Sequence, residues 1–538
     1  MADFETTHDL VRVDDLIRSV RDGRITRRGF LARATVLLGS VAAAEGLLMR
    51  VAGAQATTKN TLVVGQSSDI SKFDPHMSTT VNDIAISFNL FDNLLSRHRD
   101  GKLYPSLATE WKLVNPTTWQ FKLRPNVKFH NGDPLTSADV KFSYERSYDP
   151  KAKTNVMSVL NVIARIETPD PLTVNVITHK PDPLLAARTA YYAGQIMPKG
   201  YFEKVGTDEF NAKPIGTGPV KLVSWMKDDR LILDANKDYW GGKIDVDQII
   251  FRPLPELAPR LAALLKGEVD IITKIPPDQA DRVAKAPNTK IEGVLYGGQY
   301  CLLIASQRPP LDSKPFRQAM SLAIDREMIL KELWRGQGAV PNSLVIPGDN
   351  HHDPTLPPLS YDPNQAKQLL KEANYKGEEL TLETPIGFMV MDREMSEVIV
   401  SMWKDVGINA KLEQLEYTVY MQKIREKSFK GLRWSDPTSA YNDPDGMLWR
   451  ILAPGGPWAI WFRHPRFDEL GNAARYSLDE KFRDEAYKEM ARLALEFVPA
   501  IPVIQPMELY GLQKYVDWKP YANQMMEFRR FNLKLNRG

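Results

Sequence analysis

The chain has 538 residues, room for roughly two to four domains, with 43% hydrophobic and 25% charged residues, the balance of an ordinary globular protein. That excludes a disordered or collagen-like chain. Seventy Lys+Arg against 67 Asp+Glu leave a net charge of only +3, so nothing marks a nucleic-acid binder or a polyanionic partner.

The chain opens with an address. Thr26-Arg27-Arg28-Gly29-Phe30-Leu31 is followed by the weakly apolar stretch Ala32–Met49 and then by Ala54-Gln55-Ala56. Charged region, apolar region and small-residue cleavage site stand in the order of an export signal, and the paired arginines resemble a twin-arginine signal. Cleavage is expected after Ala56. Arg33 and Glu45 interrupt the apolar stretch, which sits near the lower limit for a membrane span, and no later segment reaches 18 apolar residues. No cysteine lies at the cleavage site to carry a lipid, so residues 57–538 are expected free in a periplasm. The address holds eight Arg and seven Asp+Glu, which leaves 62 basic and 60 acidic residues.

Thr61–Gly65 reads as a buried strand, and Asn82–Leu95 as a helix with Ile84, Phe88, Phe91 and Leu95 at three- and four-residue steps. Trp111–Val114 and Trp119–Leu123 read as strands around the Asn115-Pro116 turn. Thr136-Ser137-Ala138-Asp139 carries a helix N-cap with an acid three residues on. Pro259–Lys266 is a helix stopped by Gly267, and Val269–Thr273 a strand. Pro315–Trp334 reads as one long helix. Asp362-Pro363 starts another, with an N-cap and a proline at the first position. Asp392–Val406 ends at Gly407 and leads to the strand Ile408–Leu415. Asp479–Phe497 is a long amphipathic helix before the Pro-rich stretch Pro499–Pro506. Alternation of strand and helix from about residue 255 argues α/β layers; 100–215 is richer in strand pairs.

Catalytic patterns are missing. There is no G-x-S-x-G elbow, no H-E-x-x-H and no phosphate loop. Gly216-Thr217-Gly218 lacks the third glycine of a dinucleotide fingerprint, where Lys221 stands. The one cysteine, Cys301, excludes an internal disulfide or a Cys-rich metal site; its apolar neighbours predict a buried thiol. His351-His352 reads as part of a solvated loop rather than as a metal ligand pair. Asp443-Pro444-Asp445-Gly446 reads as a turn. Residues 431–462 gather Trp434, Tyr441, Trp449, Trp458, Trp461 and Phe462, a composition suited to the wall of a small-molecule cleft.

Ordered across nearly the whole chain after residue 57, a series of stretches resembles the extracytoplasmic solute-binding proteins of the peptide/opine/nickel class, family 5, which serve ABC importers. They are Leu107-Ala108-Thr109-Glu110-Trp111, Trp119–Arg124, Val127–Gly132, Thr136–Val140, Pro214–Pro219, Asp238–Gly242, Lys266–Asp270, Phe316–Met320 with Ala323–Arg326, Asp362-Pro363, Val406–Ile408 and Asp443–Asp445. The resemblance implies an α/β, two-lobed periplasmic-binding-protein fold (class II-like) with an extra subdomain in the first lobe. The implied division is 57–100, 215–297 and 506–538 for the first lobe, 101–214 for the extra subdomain and 298–505 for the second lobe. It implies a monomer with no cofactor, no catalytic residue and no resident metal. A solute such as a peptide, opine or glycoside would be enclosed between the lobes and passed to a membrane permease. In peptide-binding relatives an acidic residue three positions before Asp-Pro-Asp receives the ligand's α-amino group; here that position is Ala440, and Asp436 stands in with a register shift. Arg433 would pair with a ligand carboxylate; Trp434 and Tyr441 would stack on an apolar face; Tyr300, Trp449 and Trp461 complete the expected site. The alternatives are a nickel or metal-chelate binder of the same family, a chaperone-like or haem-scavenging role for the same fold and, more remotely, an exported hydrolase or redox enzyme.

Overall fold

The computed structural model describes residue 19 and residues 27–38, 60–77, 80–385, 387, 389–454 and 462–537. The expected cleavage site at Ala54-Gln55-Ala56 and Trp461 lie outside the described residues. Arg27 and Arg28 open the helix Arg27–Leu38, in which Phe30 and Ala34 are buried. No helix among the described residues is long and apolar enough to cross a membrane.

A twelve-stranded mixed sheet runs through the molecule. From one edge its order is Ala410–Leu415, Leu380–Pro385, Leu432–Ser435, Tyr300–Ile304, Ala500–Gln513, Ile271–Ile272, Thr61–Gln66, Gln248–Pro253, Arg230–Ala235 and Val220–Met226. Thr289–Leu295 and Gly338–Ala339 also pair with the Ala500–Gln513 strand. That strand belongs to both halves of the sheet. Its first part, from Ala500 to Ile504, lies against Tyr300–Leu303. Its last part, from Met507 to Gln513, lies against Thr289–Leu295, and Gly511 and Leu512 also pair with Ile272 and Ile271. The chain therefore passes between the two halves of the sheet at 295–300 and again at 504–507. The Pro-rich stretch is thus a strand. Pro502 has no N–H to give a ladder, and the register slips there, with Tyr300 opposite Ile504 but Cys301 opposite Pro502.

Each lobe has its own core. Trp334, Trp403, Trp434, Leu302, Leu382 and Met395 fill one face of the second lobe, and Leu62, Val64, Phe91, Phe251, Trp518 and Phe528 that of the first. A separate four-stranded antiparallel sheet, Ala108–Asn115, Thr118–Leu123, Thr173–Thr178 and Ile163–Asp170, forms the extra subdomain with the helix Ser137–Tyr148. That helix starts with the expected reciprocal cap of Thr136 and Asp139.

Two expected helices are shorter. Val81–Leu90 ends before Phe91, because the Leu90 carbonyl accepts the Gly218 N–H, and Asp92 accepts bonds from Thr217, Tyr239 and Trp240. This also explains Gly216-Thr217-Gly218: a Cβ at either glycine would collide with the 89–91 backbone or side chains. Pro315–Trp334 breaks into Lys314–Leu322, Arg326–Met328 and a wide turn, Ile329–Leu333. Asp325 caps the new start by accepting the Met328 N–H, and the buried Arg326 donates to the carbonyls of Pro502, Ser321 and Ile324. Tertiary bonds have replaced helical ones in both places.

Candidate functional site

The passage Tyr296-Gly297-Gly298-Gln299-Tyr300 sets up the junction. Tyr296 N–H donates to Pro506 O, Gly297 N–H to Ala522 O and Gln299 N–H to Pro437 O. Ser439 N–H donates back to Gly297 O. Three chain segments meet so closely that a Cβ on Gly298 would strike the Pro437 carbonyl, which only glycine avoids. Gln505 Nε2 donates to Tyr296 O at 2.8 Å and Gln299 Nε2 to Ser343 O at 3.1 Å, so the buried amides of both passages are tied to backbone.

Two acidic side chains converge here. Asp436 follows the Leu432–Ser435 strand, and Tyr296 OH donates to its main-chain oxygen at 3.0 Å. Burial pushes its carboxyl up to about 7, the negative charge of Glu508 adds to this, and Lys274 and Arg433 oppose it. Glu508 lies on the long strand and is held by Gln524 Nε2 at 2.8 Å. Its carboxyl is also raised by burial, against the Gln524 bond and Lys274. Burial raises the phenols of Tyr296 and Tyr300 as well, with further contributions from Asp436 and Glu508. Val81, Asn82, Thr273, Lys274, Glu508 and Gln524 are among the residues lining a cavity of about 20 Å³, room for about one water. The buried Thr273 hydroxyl has no hydrogen-bond partner among the described residues. A desolvated acid pair beside aromatic hydroxyls favours a further positively charged group, because that group offsets the hydration that burial removed.

A second contact joins the second lobe to the extra subdomain. Asp443 caps a short turn by accepting the Asp445 N–H, which confirms the turn at Asp443–Gly446, and it pairs with Arg483 at 2.5 Å. Asp445 instead reaches Arg188 of the extra subdomain at 2.9 Å, and Arg188 also holds Asp182 at 2.9 Å. Burial works against the Arg188 charge, but Asp182, Tyr441 and Asp445 outweigh it and hold the guanidinium protonated. Tyr441 lies under that guanidinium at 4.6 Å and meets Tyr191 edge-on at 5.7 Å. Ala440 and Tyr441 complete the core of the extra subdomain. Arg97 Nη1 donates to Asn442 Oδ1 at 2.6 Å. Nearby Asp349 is pushed up to about 7, first by burial and then by Asp443, against the pull of Ser439 and Arg97.

Of the residues singled out from sequence, Asp436, Tyr300 and Tyr441 stand at these junctions. Trp434 does not form a cleft wall: it is fully buried in the second lobe's core, its Nε1 donating to Ser396 Oγ at 2.6 Å. Arg433 alternates to the opposite face of the strand and is buried. Its Nη1 donates to Trp434 O at 3.2 Å and its guanidinium lies 5.2 Å from the Phe429 ring centre. Trp449 is buried beside Phe467 and Leu470 in the second lobe's other core. His351 is not solvated. Its loop folds onto the Glu480–Phe497 helix, where the ring lies 5.6 Å from Tyr487 and within 3.4–3.7 Å of Asp484, Asp443 and Glu480. No group of three or more His, Cys, Asp or Glu among the described residues is arranged to hold a metal ion. Cys301 is buried, and burial raises its thiol far from reactivity.

Glu508, Lys274 and Arg188 escaped the sequence reading. For Arg188 a signal existed, a lone charge in the apolar run Leu184–Ala190, which burial obliges to pair.

Comparison with known proteins gives a consistent picture. Residues 102–458 match the family described as bacterial extracellular solute-binding proteins, family 5 Middle. Di/tripeptide-binding protein 1 of Pseudomonas aeruginosa is 28% identical over 91% of this chain and 96% of its own length. Among solved structures, the periplasmic binding protein DppA from Helicobacter pylori in complex with the peptide STSA superposes with a TM-score of 0.80 at 24% identity, covering 90% of this chain and 100% of that one. AgaA from A.tumefacien R10, in complex with agropinic acid, gives 0.79 at 26% identity, covering 89% and 99%.

Proposed function

The chain belongs to the bacterial extracellular solute-binding proteins of family 5, and from that premise we propose that it captures a small amine-bearing organic solute between its lobes. It then delivers that solute to the permease of an ABC importer. The reading divides the chain into a first lobe (57–100, 215–297, 506–538), an extra subdomain (101–214) and a second lobe (298–505). The passages between the sheet halves at 295–300 and 504–507 support those boundaries. The observation that carries the ligand class is the desolvated pair Asp436 and Glu508 at the junction of the lobes.

Asp436 receives the solute's ammonium group, because Ala440 is buried among apolar side chains and offers no charge. Tyr300 and Tyr441 bound the site, while Arg433, Trp434 and Trp449 pack inside the second lobe and do not touch the solute. A charge-assisted bond from an ammonium to Asp436 is stronger than a neutral one and draws the carboxyl back toward its ordinary range, so binding near pH 6 releases a proton. Di- and tripeptides carry such a group, in keeping with the named ligand class of a relative. The twin-arginine signal delivers the protein to the periplasm as a monomer.

Native mass spectrometry of residues 57–538, purified from the periplasm of the native host, tests this. A copurifying amine-bearing solute is expected. Absence of any bound solute, together with no thermal shift from di- and tripeptides, opines, glycosides or nickel chelates, overturns the reading, since a ligand specific for the folded state raises its melting temperature.

A further inference from the structure

We infer that Arg188 and the Tyr441–Asp445 turn form a latch that holds the two lobes together by protein contacts alone, so that the closed form is populated before any solute binds. The contacts are made side chain to side chain. Arg188 Nη2 meets Asp445 Oδ2 at 2.9 Å, and its guanidinium covers Tyr441 at 4.6 Å. Arg97 meets Asn442 at 2.6 Å, on a separate strand of the first lobe. Ala440 and Tyr441 sit inside the apolar core of the extra subdomain, with Leu185, Ala187 and Val159 as fellow members. Residues 440–445 form one short segment that follows directly on the Pro437–Ser439 stretch bonded to the 297–299 passage, so the second lobe is fastened to the first along a continuous patch that starts at that passage.

The ion pair is built for release. A buried charge abandoned by its only partner is costly, but here neither member has only one. Arg188 Nε keeps Asp182 at 2.9 Å, and Asp445 Oδ1 keeps Arg475 at 3.5 Å. Opening therefore separates one bond of a four-member chain and leaves each charge with an opposite neighbour. The apolar part opposes opening, since Tyr441 and Ala440 must leave a core. Arg188 is thus a positioning residue for solute capture: it acts through the lobe arrangement and through Tyr441.

Small-angle X-ray scattering of the protein with no solute added, after unfolding and refolding to strip anything bound, reads this directly. For about 480 residues a compact body has a radius of gyration of about 23 Å. The refolded wild type is expected to be compact, with Asp445→Asn, Arg188→Met and Asn442→Ala each larger and Arg188→Lys intermediate, because it keeps the charge but not the fork. Coupling between close charge pairs starts near a ten-fold effect, so the closed-to-open ratio falls by about ten-fold in Asp445→Asn. This nearly isosteric change leaves Arg188 paired with Asp182, and unchanged circular dichroism shows that it folds. A refolded wild type as large as the variants, or an Asp445→Asn protein as compact as the wild type, overturns the latch. Neither result depends on which solute the protein carries.

Discussion

Asp436→Asn isolates the electrostatics of the junction. Burial and Glu508 lift the Asp436 carboxyl from 3.8 to about 7. At about 1.36 kcal/mol per pH unit, ionising it in the folded protein costs at most about 4 kcal/mol. The side chain keeps some contact with water, and screening reduces this to about 2 kcal/mol. The sign follows from proton linkage. The folded form binds the proton more tightly than the unfolded chain, so stability falls as pH rises from about 4 to about 7 and levels off above. Asparagine carries no charge and escapes that loss. Its advantage is about zero near pH 4 and about 2 kcal/mol at pH 8. Unfolding entropy of about 2.1 cal/mol/K per residue over about 480 residues converts this to a melting temperature about 2 °C higher. The assay is calorimetry of both proteins across pH 4–8 without added solute, followed by titration with the solute identified by mass spectrometry. Affinity for an ammonium-bearing solute falls at least ten-fold as stability rises. A variant less stable than wild type at pH 8, or a gain equal at both ends of the range, refutes the desolvated-carboxylate argument.

Other consequences are as direct. Trp434→Ala empties a site in the second lobe's core and costs about 3–5 kcal/mol, while Trp434→Phe loses mainly the bond to Ser396, about 1 kcal/mol; chemical denaturation separates the two. Gly216→Ala drives a methyl into the Leu90 backbone and destabilises by about 3 kcal/mol, visible in the same experiment. If the proposed twin-arginine signal operates, Arg27→Lys with Arg28→Lys is expected to leave the precursor in the cytoplasm on fractionation, and N-terminal sequencing of the exported wild type is expected to start at Thr57. Glu508→Gln brings the Asp436 titration down toward the ordinary carboxylate range, measured by NMR of a carbon-13-labelled aspartate.

Local chemistry made several elements legible. The Asp362 and Asp479 caps and the left-handed Gly407 set helix ends as the sequence foretold, because cap and glycine act within one turn. The breaks after Leu90 and Leu322 were hidden, since their causes, Gly218 and Pro502, are far along the chain. In the strand Leu432–Ser435, alternation puts Arg433 and Trp434 on opposite faces, but not which face looks into a core; both proved buried. Tyr441 was legible as an aromatic near a turn, yet its partner Arg188 comes from another unit. The Gly297-Gly298 pair marks a close backbone approach, but its partners Ala522 and Pro437 lie more than 130 residues away. Glu508 was obscured by the run of buried residues around it, where an acid gains meaning only opposite Asp436.

The strand shared by both lobes fixes an order of events during synthesis. Its last residues pair with Ile271–Ile272, and Phe528 N–H reaches back 439 residues to Asn89. At ~5–20 residues per second, the ribosome needs roughly 20–90 s to make that span. The four-stranded sheet of 108–178 pairs only within itself and can settle early, with Ala440 and Tyr441 added to its core later. The first lobe, though begun at Thr61, waits for the last forty residues. Such long-range pairing folds slowly, and a chain stopped just before Ala500 keeps its earliest-folding piece while leaving both lobes open-edged.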